Sequence, residues 1–341
     1  MKLNNKYIIG THIMFYEIDM VEEHIDSIVN AVKMIDNPKN VTVKLLLNRS
    51  EYFEKINFKK LTDKQLTDKY NNLISKLSHA GVTLDCNTYS DNKPLTMVDF
   101  RRDLNYYGCR DHDFVIWGES DCLLPAETFQ TLEQLKSYTD SQNIHRYITT
   151  FAVRKMWDDS WKPLEHPDFT DKPLLQRKNP DGSINKEAYE QPYSISYTMS
   201  IDEMNEINAK ADEVEISMLT SPKFDGSGLI ISSDLIKAGA NIPLGIFGLS
   251  AEDTAFMYSC LQILGSNYIQ FVIKNILKVH NRQHPKKRLY AIDMLEQQES
   301  TQELKGDWYN KLRDMNKQNL EIAFNNPQGK FLTYENFVKE L

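Results

Sequence analysis

The fold is decided by one stretch of sequence, Asp113-Phe114-Val115-Ile116-Trp117-Gly118-Glu119-Ser120-Asp121-Cys122-Leu123-Leu124-Pro125. Its apolar run, residues 114–117, is too short for a buried helix and rich in strand-forming types, which predicts a central strand covered on both faces. Gly118 ends that strand. Glu119 and Asp121 then follow where ligand sites of open α/β sheets lie, just beyond the carboxyl end of a strand. Pro125 suits the first turn of a following helix.

The acid pair at the end of this strand indicates a metal site. Carboxylate oxygens such as those of Glu119 and Asp121 can hold a divalent cation, whose open positions take the phosphate oxygens of a nucleotide diphosphate. Acidic residues are also common where helices begin, so a solvated acidic turn that caps the next helix is the alternative. The pair alone leaves both interpretations open.

Strand-like and helix-like segments alternate on both sides of this unit. Apolar β-rich runs predict strands at 6–12, 41–47, 82–86, 114–117 and 147–153. Helical periodicity predicts helices at 20–34, 61–80, 96–107 and 126–139. Strands that alternate with helices at this spacing imply right-handed crossovers and a mostly parallel sheet. The sequence therefore predicts an α/β fold with a doubly wound central sheet flanked by helices.

The second half of the chain is less regular. Residues 155–222 carry scattered prolines and two tryptophans, which predicts an irregular insertion that is functional or mobile rather than part of the core. Glycine-bearing turns and apolar runs then predict a strand after Gly228, a helix over 250–264 and a last strand over 271–280. Beyond residue 289 the pattern is polar and amphipathic, which predicts two or three helices, around 291–304, 307–322 and 332–340. We therefore expect one domain over 1–290 and a C-terminal helical extension over 291–341, which acts as a cap or forms a homodimer.

Composition excludes several classes of protein. The chain has 341 residues, 41% hydrophobic and 26% charged, which is ordinary for a globular protein. A net charge of −8 gives no overall attraction to nucleic acid or anionic membrane. The N-terminus has no signal-peptide pattern, and no stretch reaches the roughly 18 apolar residues of a membrane helix. Four scattered cysteines without a C-x-x-C pair favour reduced thiols and a cytoplasmic location.

Three motifs together resemble the GT-A glycosyltransferases, a Rossmann-related fold, and most closely the large inverting group that uses nucleotide sugars. Glu119-Ser120-Asp121 matches the metal-binding Asp-x-Asp of that family, with Glu in the first position. Arg102 stands where the family has an Ala-Arg-Asn segment, with Asp103 in place of the asparagine. Ala251-Glu252-Asp253 matches Gly-Glu-Asp at the start of the acceptor-side helix. The resemblance covers roughly residues 6–290, the length of one large domain.

The resemblance implies a role for each candidate residue. Mn²⁺ or Mg²⁺ would be held by Glu119, Asp121 and one imidazole, His280, with His284 in reserve. Asp253 would accept the proton of the acceptor hydroxyl, and Glu252 would orient the acceptor. The remaining donor contacts are expected at the ends of strands and in the basic turn, at Thr11, Asn48, Asp85, Arg102, Lys278 and Arg282.

These roles imply an enzyme that transfers a hexose from a nucleoside-diphosphate sugar, such as a UDP-sugar, to a hydroxyl with inversion. The acceptor is a saccharide or a hydroxymethylated pyrimidine in DNA; for DNA, basic residues over 274–288 would hold phosphates. A nucleotidyltransferase is an alternative, although residues 8–20 lack its glycine-rich phosphate loop. A non-catalytic binding module on a transferase fold is another, because Glu119 and Asp103 depart from the family pattern.

Overall fold

The computed structural model describes residues 1–50, 61–91, 95–247, 252–282, 284, 308–326, 328–333 and 335–336, without the side chains of 308–310 and 312. Its strands are β1 (Tyr7–Met14), β2 (Val41–Asn48), β3 (Thr83–Tyr89), β4 (Phe114–Trp117), β5 (Cys122–Leu123), β6 (Tyr147–Ala152), β7 (Ile216–Met218), β8 (Ile230–Ser232), β9 (Ile269–Leu277) and β10 (Val279–His280). Its α-helices are α1 (Val21–Val32), α2 (Asp63–His79), α3 (Met97–Asp111), α4 (Thr128–Ser141), α5 (Pro167–Thr170), α6 (Glu187–Glu190), α7 (Ile201–Asn208), α8 (Ser233–Lys237), α9 (Glu252–Leu264) and α10 (Trp308–Asn325).

Eight of these strands form one sheet in the order β3-β2-β1-β4-β8-β6-β9-β7. The pairs β3–β2, β2–β1, β1–β4 and β6–β9 are parallel, whereas β4–β8, β8–β6 and β9–β7 are antiparallel. The predicted α/β class with a mostly parallel, helix-flanked sheet is confirmed. Within this sheet, the short antiparallel strand β7, inside the irregular segment, has no counterpart in the sequence prediction; outside it, the two-residue strand β5 has none either.

The sheet is covered on both faces, as the apolar strands require. Helices α1, α2 and α4 pack against one face in a core that includes Ile9 and Ile116. Helices α3, α8 and α9 pack against the other face in a core that includes Ile8 and Trp117. Successive residues of β1 and β4 therefore serve opposite cores, which explains why neither strand alternates between apolar and polar residues.

The carboxyl end of β4 lies against the middle of β1, beside Gly10 and Thr11, with no room for a side chain. The Gly118 amide donates to Gly10 O at 2.8 Å, which continues the ladder past Trp117. A Cβ at Gly118 would overlap Thr11 Oγ1 and lie 2.9 Å from His24 Nε2. Only glycine allows this approach, so the chain can leave the sheet at this point and place Glu119 above it.

Two buried histidines lie under the same edge. His24 faces Thr11 Oγ1 at 2.9 Å and Cys122 O at 2.6 Å, and His12 accepts from Asn48 Nδ2 at 3.0 Å. Burial lowers the pKa of His24 to about 4. Burial, and then the charge of Arg101, lower the pKa of His12 to about 3. Both imidazoles are therefore neutral in the folded protein at neutral pH.

The segment predicted to be irregular holds short elements around its own buried groups. Lys155 donates to Glu165 Oε2 at 3.1 Å, and both side chains are almost fully buried. Glu165 also accepts from the Met156 amide at 3.0 Å. Leu164 and Met156 pack with neighbouring apolar side chains in a small core of their own. A hydrogen-bonded ion pair at its centre thus holds this part of the insertion in place.

Helix α10 confirms one of the three C-terminal helices expected from the sequence. Asn316 bonds both the amide and the carbonyl of Phe247, at 3.2 and 2.7 Å, which ties the helix to the loop that precedes α9. The helix expected at 291–304 and most of the one expected at 332–340 lie outside the described residues. In the part of the chain that is described, no helix combines the length and apolarity needed to cross a membrane.

The two histidines predict a pH-dependent stability. Between their ordinary pKa of 6.5 and about pH 4, the unfolded chain binds protons that the folded chain excludes. The free energy of unfolding should therefore fall as the pH is lowered from 6.5, by about 1.4 kcal/mol per pH unit for each histidine. Urea denaturation at pH 7.5, 6.0 and 5.0 measures this slope. Since His12→Gln removes one of the two groups, a slope that it leaves unchanged would contradict the assignment.

Candidate active site and metal centre

Three of the predicted metal ligands lie together at the carboxyl edge of the sheet. His280 Nε2 is 3.3 Å from Asp121 Oδ1 and 4.0 Å from Glu119 Oε2. One ligand atom from each residue lies within 4.8 Å of the other two. Asp121 is buried, and the other two side chains are partly exposed, so the cluster is backed by protein and reachable from solvent. We name these three residues the acid–histidine triad.

A two-residue antiparallel ladder places the triad. Strand β5 pairs with β10, with His280 opposite Cys122. The Asn281 amide donates to Asp121 O at 2.7 Å and extends the pairing by one residue. Asn281 is held in turn by two hydrogen bonds to the Met199 backbone, at 2.8 and 3.0 Å. The backbone that carries the imidazole is therefore fixed beside the backbone that carries the carboxylates.

His284, the reserve ligand, lies elsewhere. It is buried, and its Nε2 lies 3.3 Å from Glu23 Oε1 of helix α1. His280 is thus the imidazole that the structure brings to Asp121 and Glu119.

Arg282, one of the predicted donor contacts, adjoins the triad. Its Nε donates to His280 Nδ1 at 3.1 Å, and its guanidinium lies 4.4 Å from the centroid of the Trp157 ring. Trp157 itself is 42% exposed, so this pair lies at the exposed rim of the region around the triad, which we call the crevice. A guanidinium stacked on an aromatic ring keeps its charge at a defined place.

Lys278, by contrast, does not face the crevice. It is fully buried, its Nζ bonds Ser227 O, and it forms an ion pair with Asp225 Oδ2 at 3.0 Å. Its predicted contact with a donor phosphate does not fit this position. The lysine instead anchors Asp225, a carboxylate that the sequence analysis did not select.

Arg102 is also turned away from the site. Its guanidinium donates to the carbonyls of Ile242, Pro243 and Ile246, so it fastens the loop before α9. Arg101 is the residue of this pair that reaches the site. Its Nη1 donates to Glu252 Oε1 at 2.5 Å, and its Nη2 lies 3.6 Å from Glu119 Oε2.

A helical pattern could have identified Arg101. It follows Val98 by three residues and precedes Asn105 by four, and all three side chains are buried on the same face of α3. Its guanidinium lies 4.9 Å from the centroid of the Trp117 ring. An arginine within the buried stripe of a helix is a stronger candidate for a site residue than its exposed neighbour.

The two carboxylates predicted for catalysis begin helix α9. Glu252 is buried against Arg101, whereas Asp253 is partly exposed and accepts from the Thr254 amide at 2.6 Å. Burial raises the pKa of both carboxyls above their usual values; for Glu252 the charge of Arg101 opposes the effect. A carboxyl with a raised pKa is better matched to accept a proton near neutral pH.

The remaining predicted donor contacts do not join the triad. Thr11 and Asn48 are fully buried, and their side chains are engaged with His24 and His12. Asp85 is partly exposed on β3, three strands from β4, and pairs with Lys44 at 2.5 Å. Thr11 and Asn48 therefore hold the two buried histidines, and a contact of Asp85 with the donor stays a prediction.

The charges around the crevice fit a divalent cation. Glu119, Asp121, Asp225, Glu252 and Asp253 face three cationic side chains, Arg101, Lys278 and Arg282. With all carboxyls ionised, two negative charges remain, which one divalent ion would balance. Oxygen ligands from two carboxylates, together with one imidazole nitrogen, suit Mn²⁺ or Mg²⁺. The residues present therefore fit the ion that the resemblance implies.

No protein-family model matches the chain, and no curated protein is significantly similar to it in sequence. Among solved structures, TarS residues 1–349 from S. aureus align over 97% of this chain and 76% of their own, with 14% identity and a TM-score of 0.40. GalNAc-T7, solved with UDP, GalNAc and Mn²⁺, aligns over 98% of this chain and 54% of its own, with 10% identity and a TM-score of 0.42.

A third similar structure is WbbM, a bifunctional glycosyltransferase, which aligns over 77% of this chain and 35% of its own, with 12% identity and a TM-score of 0.32. The chain thus spans about three quarters of the TarS fragment and about half of GalNAc-T7. WbbM is described as a glycosyltransferase, the family that the sequence motifs resemble. Because these identities and TM-scores are low, the similarities carry no argument about the activity of this chain. The activity is inferred from the geometry of the site.

The Arg101–Glu252 pair predicts a large effect on stability. Arg101→Met leaves Glu252 buried without its cation, which should lower the free energy of unfolding by about 3–5 kcal/mol. The double variant Arg101→Met/Glu252→Leu removes both charges and should recover most of that loss. Urea denaturation at pH 7.5 measures both. A single variant as stable as the wild type, or a double variant no better than the single, would contradict a buried ion pair.

Proposed function

We propose that the protein is a metal-dependent glycosyltransferase that moves a sugar from a nucleoside-diphosphate sugar to a hydroxyl group with inversion. One observation supports this proposal: the acid–histidine triad and the Glu252–Asp253 pair share a contact with Arg101. Arg101 lies within reach of both, 2.5 Å from Glu252 and 3.6 Å from Glu119. A Cβ at Gly226 would lie 3.3 Å from both Glu252 Oε1 and Asp253 Cβ, so the Asp225–Ser227 turn packs between the two groups.

The triad would hold the ion, and basic side chains would hold the diphosphate. A bound divalent ion supplies positive charge where the leaving diphosphate develops negative charge. Among the described residues, Arg101 Nη2 and Arg282 Nη1 are buried without a hydrogen-bond acceptor. A buried donor without an acceptor is costly, and an anionic ligand in the crevice would satisfy these two. The donor site therefore combines carboxylates for a cation with guanidinium groups for phosphate oxygens.

Asp253 would act as the general base. The acceptor oxygen attacks the anomeric carbon as the bond from that carbon to the diphosphate oxygen breaks, and the hydroxyl proton passes to the Asp253 carboxylate. Attack from the face opposite the leaving group inverts the anomeric centre. Glu252 is held by Arg101 and is less free to take the proton, so it would position the sugar or the acceptor.

A saccharide acceptor fits the described surface better than DNA. The DNA alternative needs an exposed basic ridge over 274–288. Lys274 instead donates to the carbonyls of Pro163 and Glu165, and Lys278 is fully buried. Arg282 faces the triad, and residues 285–288 lie outside the described part of the chain. The partly exposed ring of Trp157 at the rim offers the kind of apolar face on which a sugar ring stacks.

The proposed donor site predicts ligand-dependent stabilisation that requires Asp121. The protein is tested with Mn²⁺ and a panel of nucleoside-diphosphate sugars, UDP-sugars included. The correct donor should raise the melting temperature, because at a hundredfold excess over Kd it adds about 2.7 kcal/mol to the free energy of unfolding. Asp121→Asn should abolish the response. Asp234→Asn, at an acid of helix α8 outside the triad, is the matched control and should respond as the wild type does. If no donor stabilises the wild type, or Asp121→Asn responds equally, the proposed site is wrong.

The proposed base predicts a selective loss of turnover. Asp253→Asn should reduce kcat by about 10²–10⁴-fold, since the amide cannot accept the proton. The thermal response to donor and Mn²⁺ should stay at the wild-type level, because Asp253 is not a ligand of the ion. Initial-rate kinetics with the donor found in the panel provide the measurement. Full activity in Asp253→Asn would assign the base to another residue.

A further inference from the structure

Asp225 is a buried carboxylate beside the triad that has no role so far. It is 4% exposed and lies in the turn before β8. Its Oδ2 is 3.0 Å from Lys278 Nζ, whereas its Oδ1 is 3.6 Å from Arg282 Nη2 and 4.0 Å from His280 Nδ1. The lysine therefore fixes one oxygen of the carboxylate and leaves the other directed toward the imidazole and the guanidinium.

The two ring nitrogens of His280 face different carboxylates: Nε2 faces the triad acids, and Nδ1 lies on the side of Asp225. Nε2 faces Asp121 and Glu119, and Nδ1 accepts a hydrogen bond from Arg282 Nε at 3.1 Å. Because arginine can only donate, Nδ1 lacks a proton in this arrangement, and a neutral ring then carries its proton on Nε2. A metal ion at Nε2 needs the lone pair of that nitrogen, so the proton must lie on Nδ1.

We propose that Asp225 is a positioning residue that holds His280 in its metal-binding form by accepting the Nδ1 proton in a hydrogen bond. The inference rests on the proposed function, since it assumes that the triad binds a divalent ion. Metal-bound histidines commonly donate their second nitrogen to a carboxylate, which fixes the ring and its tautomer. Among the described residues, Asp225 is the carboxylate recorded within 4.0 Å of Nδ1.

The side chains around Asp225 leave its carboxylate able to accept this hydrogen bond. Lys278 Nζ and Arg282 Nη2 lie 3.0 and 3.6 Å from the Asp225 carboxylate, so two cations stand beside it. Arg282 can give up its bond to Nδ1 without losing all its contacts, because its guanidinium also stacks on Trp157 and lies beside Asp225. Asp225 thus remains an acceptor when the ring changes tautomer.

The test measures Mn²⁺ affinity directly. In Asp225→Asn the single side-chain oxygen should accept from the buried Lys278, so the amide NH₂ would face Nδ1 of His280. An NH₂ donor at Nδ1 favours the tautomer with its proton on Nε2, which cannot bind the ion. Isothermal titration with Mn²⁺ alone should show affinity about 10–100-fold weaker than in the wild type, the usual effect of losing such a partner. Asp121→Asn, which loses a ligand, sets the level for no specific binding.

Two further variants separate positioning from folding. Glu165→Gln alters the other buried carboxylate–lysine pair, with Lys155, and should leave Mn²⁺ affinity within about threefold of the wild type. Asp225→Leu/Lys278→Met removes the whole pair without an unpaired charge, so it should fold and still bind Mn²⁺ weakly. Wild-type affinity in a folded Asp225 variant, or an equal loss in Glu165→Gln, would overturn the inference. Absence of Mn²⁺ binding in the wild type would overturn the proposed metal site, and the inference with it.

Discussion

The site depends on the pairing of two short segments, Cys122–Leu123 and Val279–His280, which are far apart in sequence. This ladder sets the imidazole of His280 against the carboxylate of Asp121 by backbone hydrogen bonds, independently of any ion. The position of Cys122–Leu123 depends on Gly118. Because Gly118 has no side chain, the chain can pass close over Thr11 and His24 as it leaves β4. A preformed ligand set of this kind binds an ion without first ordering a loop, which keeps the entropy cost of binding small.

Arg101 is the second constraint, because it joins the two halves of the chemistry. One guanidinium lies between a carboxylate of the triad and a carboxylate at the start of helix α9. A buried charge is costly unless it is paired, so the buried Arg101 and Glu252 side chains hold each other in place. The same contacts therefore hold the triad and the start of helix α9, the proposed donor and acceptor sides, close to each other.

Local patterns predicted most of the fold and the centre of the site. The strand at Phe114–Trp117 was predicted with its observed bounds, and Glu119, Asp121 and His280 do converge, because strand ends and acidic turns are local signals. Arg102 was chosen over Arg101 by family position, whereas the helical stripe through Val98 favours Arg101. Asp225 and the burial of Lys278 could not be read from the sequence, since their partnership joins residues 53 positions apart across the sheet.

The antiparallel strands also show that sequence patterns predict an element but not its neighbours in the sheet. The apolar run of β8 was recognised as a strand, but its insertion between β4 and β6 depends on contacts that no single segment specifies. Strand β7 is only three residues long and lies in the irregular segment, so its pattern is too short to be recognised. Both strands extend the sheet beyond β4, and the turn that contains Asp225 leads directly into β8.

The most direct test of the central claim is the position of the metal ion. Crystals grown with Mn²⁺ and a nucleoside diphosphate should show one anomalous-scattering peak bonded to Asp121 and His280 Nε2, with oxygens at roughly 2.1–2.3 Å, as expected for divalent ions with carboxylate and imidazole ligands. Glu119 and a diphosphate oxygen should complete the coordination. An Mn²⁺ peak away from these residues, or a diphosphate bound without an ion in the crevice, would contradict the account.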